Sequence, residues 1–390
     1  QQKVIWYSFP TQTEHSLQSD FGVIKTVLGQ KCKNLFMKKT ILISLLFCAI
    51  ISLACVCGGG APQTNSSPVS ADTLRKVNFA EGDTIYSYGD SSTDGYNASP
   101  RTTNGYIYLL ATYLGSPLIS RSVGGTYSGA AWLALKNDKV AGVNKQVTFM
   151  TGVNDYRATT SSTFQIQTLK YIGYIKSAIT LQFLKSWIPA TSASVSLSGT
   201  WDSITNSGGL HSKFLYSTSN NATATYIFTD STLVIGTFGG TNGSFDVTID
   251  GVWKGRYFFS GFSDGNTTQT LIYRGLTNAS HTVVVKKIGT TISELDYFGH
   301  LKDASICKPI VIGELPNWNK ADYAATVGTN YFPLINNMIC AATSDFYGYP
   351  VAVAPVNAYL NPETDIDTDN VHPTNAGHVK IFNAFKSVIN

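Results

Sequence analysis

Ser91, Asp369 and His372 are the residues of this sequence whose types and setting fit nucleophilic chemistry. Ser91 closes Gly89-Asp90-Ser91, and the other two share the loop Asp369-Asn370-Val371-His372-Pro373. A serine hydroxyl attacks poorly until a base takes its proton. His372 can be that base if its ring is held in one tautomer, and Asp369 is placed to accept a hydrogen bond from the other ring nitrogen. Addition to a carbonyl also builds an oxyanion, which needs donors already aimed at it. The Ser91 amide, the Gly125 amide in Ser122-Val123-Gly124-Gly125 and the Asn154 side chain in Gly152-Val153-Asn154-Asp155 are three candidates. A glycine at 125 lets backbone approach a substrate with no side chain in the way. Each motif alone has a plainer reading. Gly-Asp-Ser and Gly-x-Asn-Asp are common turns, and Asp-x-x-His is also a helix N-cap followed by an incidental histidine. Asp155 reads as a structural acceptor rather than a second acid. Tyr127, Tyr156 and Trp318 follow these loops or a strand end. They read equally well as platforms for a sugar or ester group and as ordinary rim aromatics.

The order of the motifs matters because of the elements that must carry them. Thr84–Tyr88, Pro117–Ser122 and Gln146–Thr151 are short apolar strand runs, and each is followed at once by one of the first three motifs. Pro309–Ile312 and Val351–Val356 read as two more buried strands, with the Asp369–His372 loop after the second. Helices are expected over Asn104–Leu114, Thr163–Trp187, Tyr331–Ala342 and Asn375–Val388. In the second of these, Ile166, Leu169, Ile172, Ile175, Ile179 and Phe183 recur at steps of three and four, one face of a long helix. Strand alternating with helix implies a parallel sheet covered on both faces. Loops at the carboxyl ends of such strands line one crevice, so the four motifs would converge there. Between Thr191 and Phe298 the pattern changes to period-two runs rich in Gly, Thr, Ser and Asn, with Asp250-Gly251 as a tight hairpin signal. Strands at near-regular spacing suggest a β-sandwich inserted into the α/β domain.

With these residues in place, the chain resembles the SGNH (GDSL-like) hydrolase superfamily. The resemblance rests on Ser91 in Tyr88-Gly-Asp-Ser-Ser-Thr-Asp-Gly95, on Gly125, on Asn154 and on His372 in Asp-Asn-Val-His-Pro, in that chain order. It covers roughly residues 80–190 and 300–390. Ser92 stands where the name-giving Leu often is, and Val153 where Thr is common; neither change removes a reacting group. The resemblance implies an α/β, flavodoxin-like three-layer fold with a five-stranded parallel sheet. It also implies a Ser91–His372–Asp369 triad and oxyanion donors at Ser91, Gly125 and Asn154. The inserted sandwich resembles the carbohydrate-binding jelly rolls of sugar-active enzymes in its pattern alone.

Apolar residues make up 43% of the 390 positions and charged residues 13%, a balance that fits large cores and argues against disorder. No Lys/Arg block marks a nucleic-acid surface. Met37-Lys38-Lys39 and the apolar run Ile41 to Ala54 form a bacterial secretion signal, too short for a membrane span of about 20 residues. Residues 1–36 read as an upstream segment foreign to the fold, 37–57 as the signal and 58–75 as a linker. The hydrolase domain is then expected over 76–190 and 299–390, and the sandwich over 191–298. Cys55 follows Ser52-Leu53-Ala54 as in a lipoprotein box, although Cys57 competes, so lipidation and simple cleavage stay open. Cys307 and Cys340 are the cysteines of the mature globule, and an oxidising envelope permits a disulfide between them. Two buried thiols is the other reading. His211, His281, His300 and His378 read as structural or surface residues, and no histidine pair has metal-ligand spacing. Neither metal nor cofactor is expected.

These features lead to an exported or cell-surface serine esterase that removes acetyl or similar acyl groups from a polysaccharide. Contact with a membrane would run only through an N-terminal lipid. A lipase, lysophospholipase or thioesterase with the same triad is the second reading. A surface glycan-binding protein with an inert hydrolase half is the third.

Overall fold

The computed structural model describes residues 75–157, 163–206, 208–239, 243–259, 268–316 and 332–390, all within one compact unit. The expected upstream segment, the signal with Cys55, the linker as far as residue 74, and Trp318 lie outside the described residues.

The fold is mixed α/β, with a five-stranded parallel sheet and three antiparallel sheets. The chain opens with β1 (Ile85–Gly89), α1 (Tyr106–Tyr113), β2 (Leu118–Ser120), α2 (Ser128–Val140), β3 (Gln146–Met150) and α3 (Phe164–Phe183). Twelve antiparallel strands follow: β4 (Leu184–Pro189), β5 (Val195–Ser198), β6 (Asp202–Thr205), β7 (Lys213–Ser217), β8 (Thr223–Thr229), β9 (Thr232–Phe238), β10 (Gly243–Ile249), β11 (Val252–Phe259), β12 (Thr268–Arg274), β13 (Ser280–Ile288), β14 (Ser293–Leu295) and β15 (Tyr297–Leu301). The chain then resumes strand and helix with β16 (Ile310–Gly313), α4 (Phe332–Ser344), β17 (Val351–Ala354) and α5 (Asn375–Ser387).

The parallel sheet runs β2-β1-β3-β16-β17. Its strands are apolar on both faces because both faces are covered. Tyr88, Val147, Phe149, Ile310 and Ile312 pack with Trp132 and Leu135 of α2, Ile175 and Ile179 of α3, and Ile335 and Ile339 of α4. On the other side Ile85, Val311, Ala352 and Ala354 pack with Ile107 and Leu110 of α1 and Ile381 and Phe385 of α5. The chain leaves β1 toward β2 on one side and returns to β3 on the other. That reversal opens a crevice at the carboxyl ends of β1 and β3.

The antiparallel strands form sheets β11-β10-β13-β8-β5, β12-β9-β15-β4 and β14-β7-β6. Phe245, Val247, Val283 and Val285 of the first face Leu233, Ile235 and Phe298 of the second. The second sheet also rests on α3, where Ser177 and Thr180 meet Thr268 and Thr270 at 3.3 and 3.2 Å. Strand β9 is therefore buried along its whole length.

One expected boundary needs correction. The long helix stops at Phe183, and Trp187 belongs to β4, so the antiparallel strands extend from Leu184 to Leu301 rather than over 191–298. Helix α2 is an element the sequence pattern did not reveal. No disulfide joins Cys307 and Cys340: the Cys307 thiol donates to the Asp303 carbonyl at 3.2 Å, and Cys340 is exposed on α4. No described helix is long and apolar enough to cross a membrane.

Candidate active site

The turn after β1 is built by its glycine and by Asp90. A side chain on Gly89 would come within 2.2 Å of the Met150 carbonyl oxygen, so only glycine lets β1 leave the sheet this close to β3. Asp90 is fully buried. Its Oδ1 accepts from the Ser92 amide at 3.1 Å, and its Oδ2 from the amides of Gly152 and Val153 at 3.1 and 3.3 Å. Burial pushes the Asp90 carboxyl up to about 7 despite those three donors. Thr93 adds a hydroxyl bond to the Met150 carbonyl at 2.7 Å. The serine turn is thus pinned to the end of β3 from two sides.

Ser91, which is 4% exposed, meets His372 across 281 residues of chain: its Oγ lies 2.8 Å from His372 Nε2. His372 Nδ1 lies 2.6 Å from Asp369 Oδ2, while Asp369 Oδ1 accepts from the amides of Val371 and His372 at 2.9 Å each. Partial burial disfavours the Asp369 carboxylate, but donors from His372 and Val371 outweigh it and hold the group at about 2. An ionised Asp369 requires the proton on Nδ1, which leaves Nε2 as the acceptor facing the Ser91 hydroxyl. The loop keeps this shape through Asn370 at φ 61 and through the Asp367 amide bonded to the His372 carbonyl at 2.8 Å.

The loops after β2 and β3 lie against the same turn. The Val123 amide donates to the Gly89 carbonyl at 3.2 Å, and a side chain on Gly124 would lie 3.8 Å from Ser91 Cβ. Gly125 has φ +76 and open space around its Cβ position, so here glycine answers the backbone conformation rather than a close neighbour. The Asn154 amide donates to the Thr126 carbonyl at 2.9 Å, which joins the two loops. Asp155 accepts from the Ser128 amide and hydroxyl at 2.8 and 2.7 Å and so anchors α2.

Tyr127 is exposed at 56% at the head of α2. Tyr156 must be corrected: it is 5% exposed, donates to Thr168 and packs edge-on against Tyr171, so its ring has no free face for a substrate. Residues that the motifs did not single out also border the pair. The Tyr96 ring lies 4.3 Å from the His372 ring, and Asn97 donates to Asp369 Oδ2 at 3.1 Å. Among the described residues no group of three or more His, Cys, Asp or Glu side chains is arranged to hold a metal ion.

No protein-family model matches the chain. No curated protein matches it either. Among solved structures, a two-domain esterase active on acetylated mannans aligns at 10% identity, over 61% of this chain and 100% of that one, with a TM-score of 0.32. A family 35 carbohydrate-binding module from Clostridium thermocellum aligns at 12% identity, over 29% of this chain and 96% of the module, with a TM-score of 0.25. The catalytic domain of Agl-KA aligns at 11% identity and a TM-score of 0.25, and this chain spans only 38% of its length. At TM-scores this low none of the three fixes the fold or the activity of this chain.

Proposed function

We propose that the chain is a serine ester hydrolase of the SGNH type. The observation that carries this reading is one imidazole bridging Ser91 Oγ at 2.8 Å and Asp369 Oδ2 at 2.6 Å. The five parallel strands with helices on both faces, and Ser91 at the reversal between β1 and β3, support the three-layer arrangement of that superfamily. In the reaction His372 Nε2 takes the Ser91 proton as Oγ adds to the ester carbonyl. The new oxyanion is received by the amides of Ser91 and Gly125 and by Asn154. The imidazolium returns its proton to the leaving alkoxide, and water then cleaves the acyl-enzyme by the same route in reverse.

The secretion signal from Met37 and the antiparallel sandwich favour a substrate outside the cytoplasm, an O-acetylated polysaccharide. Turnover of p-nitrophenyl acetate, and acetate release from acetylated mannan, xylan and pectin, test both parts. Ser91→Ala is expected to lower kcat by about 10³-fold or more. Undiminished turnover in that variant would remove the nucleophile. A preference for nitrophenyl esters longer than about octanoate would replace the acetyl substrate with a lipid one, because long chains need a large apolar contact.

A further inference from the structure

We propose that Tyr96 and Asn97 are positioning residues that hold the His372–Asp369 pair from the nucleophile's side of the site; the inference rests on the triad reading above. The two residues begin a short segment, 96–99, that is tied to the loop and helix carrying the base at four points. The Tyr96 ring lies 4.3 Å from the His372 ring at 44°. The Tyr96 carbonyl accepts from His378 Nε2 at 3.0 Å. Asn97 Nδ2 donates to Asp369 Oδ2 at 3.1 Å. Ser99 and Asn375 exchange amide bonds at 2.9 and 3.3 Å. At its other end the segment is fixed to the nucleophile, since the Tyr96 amide donates to the Ser91 carbonyl at 2.9 Å.

Each contact does a separate job. Asp369 Oδ1 is used by two backbone amides, so Oδ2 alone faces the imidazole. Oδ2 can still move if the carboxylate turns about its Cβ–Cγ bond while Oδ1 keeps its two amides. A second donor from Asn97 on the same oxygen fixes the plane in which Nδ1–H must lie. Asn97 reaches it because its backbone is left-handed at φ 65, a region that Asn tolerates better than most residues. The Tyr96 ring, 4.3 Å from the imidazole, limits its rotation. His378 secures the Tyr96 backbone: its Nδ1 accepts from the Tyr106 amide at 3.4 Å, which leaves the proton on Nε2 for the Tyr96 carbonyl. Burial lowers the His378 ring's proton affinity and favours this neutral form.

The test uses the full chain with p-nitrophenyl acetate. Asn97→Gly keeps the backbone conformation and removes the donor; Asn97→Asp keeps the shape and places a like charge beside Asp369. Both are expected to lower kcat about tenfold, the order of one lost charge-assisted hydrogen bond, with KM within about twofold of wild type. Asn97→Asp should also move the acid limb of the kcat/KM profile up by about one pH unit, because an added negative charge favours the imidazolium. Tyr96→Ala should lose kcat, and Tyr96→Phe should restore it, since the ring and not the hydroxyl makes the contact. Asn97 variants that melt with wild-type thermal midpoints yet keep wild-type kcat and acid limb would overturn the proposal while Ser91→Ala remains inactive. Full activity in Ser91→Ala would overturn the triad reading and this inference with it.

Discussion

His372 sits between Ser91 Oγ and Asp369 Oδ2, and in the proposed reaction the first must lose a proton while the second never gains one. Asp369 supplies the second condition, since its carboxyl is held at about 2 by donors from His372 and Val371 that outweigh its partial burial. Asp369→Asn keeps an oxygen for the two backbone amides but presents an amide nitrogen to Nδ1. The imidazole then takes the opposite tautomer, with Nε2 protonated and unable to accept from Ser91. Steady-state kinetics should show kcat down by about 10⁴-fold and KM little changed, in a protein that melts normally. A loss below tenfold would mean that Asp369 does not set the tautomer. The three residues that meet here were legible in the sequence because each sits in a short motif after a strand run. Asn97 was not, because its partner lies 272 residues away and nothing in Gly95-Tyr96-Asn97 records that contact. Tyr156 misled for a related reason. It follows a motif, but the single helical turn Val153–Arg157 rotates it into the core.

At the scale of elements, regular patterns were legible and crowded or mixed ones were not. The three- and four-residue steps of α3 gave its register. Asp250-Gly251 gave the β10–β11 hairpin, where both residues have positive φ, 53 and 74. Helix α2 escaped notice because Lys136, Asp138 and Lys139 are buried among its apolar residues. Its own N-cap, Tyr127, provides no side-chain bond, and the cap comes instead from Asp155 on the loop after β3. A cap supplied from another element leaves no Ser/Thr/Asp/Asn at the N-cap position itself, which is Tyr127. Asp155→Ala should therefore cost about 1–3 kcal/mol in chemical denaturation, because a buried amide and hydroxyl lose their acceptor together. Asp155→Asn, which keeps one acceptor oxygen, should lose less. Equal stability of Asp155→Ala and wild type would show that α2 is anchored elsewhere.

Across the whole molecule, the antiparallel sheets are joined to the α/β part by buried groups as well as apolar area, and this gives stability a pH dependence. Asp296, in the residue before β15, accepts from the Leu210 and His211 amides at 2.5 and 3.1 Å, and Lys136 of α2 reaches the neighbouring Gly209 carbonyl at 3.0 Å. Burial pushes the Asp296 carboxyl up to about 7, partly opposed by those two amides and by Lys136. In the unfolded chain the same carboxyl titrates near 3.9. Between those values the folded protein holds a proton that the unfolded chain has released, so the Asp296 contribution is full below about 4 and is lost as pH rises toward 7. Asp369 and Asp83, both held at about 2, act in the opposite sense and in a separate window: their contribution is lost as pH falls from about 4 toward 2. Asp296→Asn should lower the thermal midpoint at every pH, because its nitrogen faces an amide donor. The gap from wild type should be widest near pH 4 and narrow by several degrees by pH 7.5, as wild type loses what the variant never had. A gap that stays constant across that range would mean that Asp296 is ionised in the folded protein throughout, with Lys136 and the two amides together outweighing its burial.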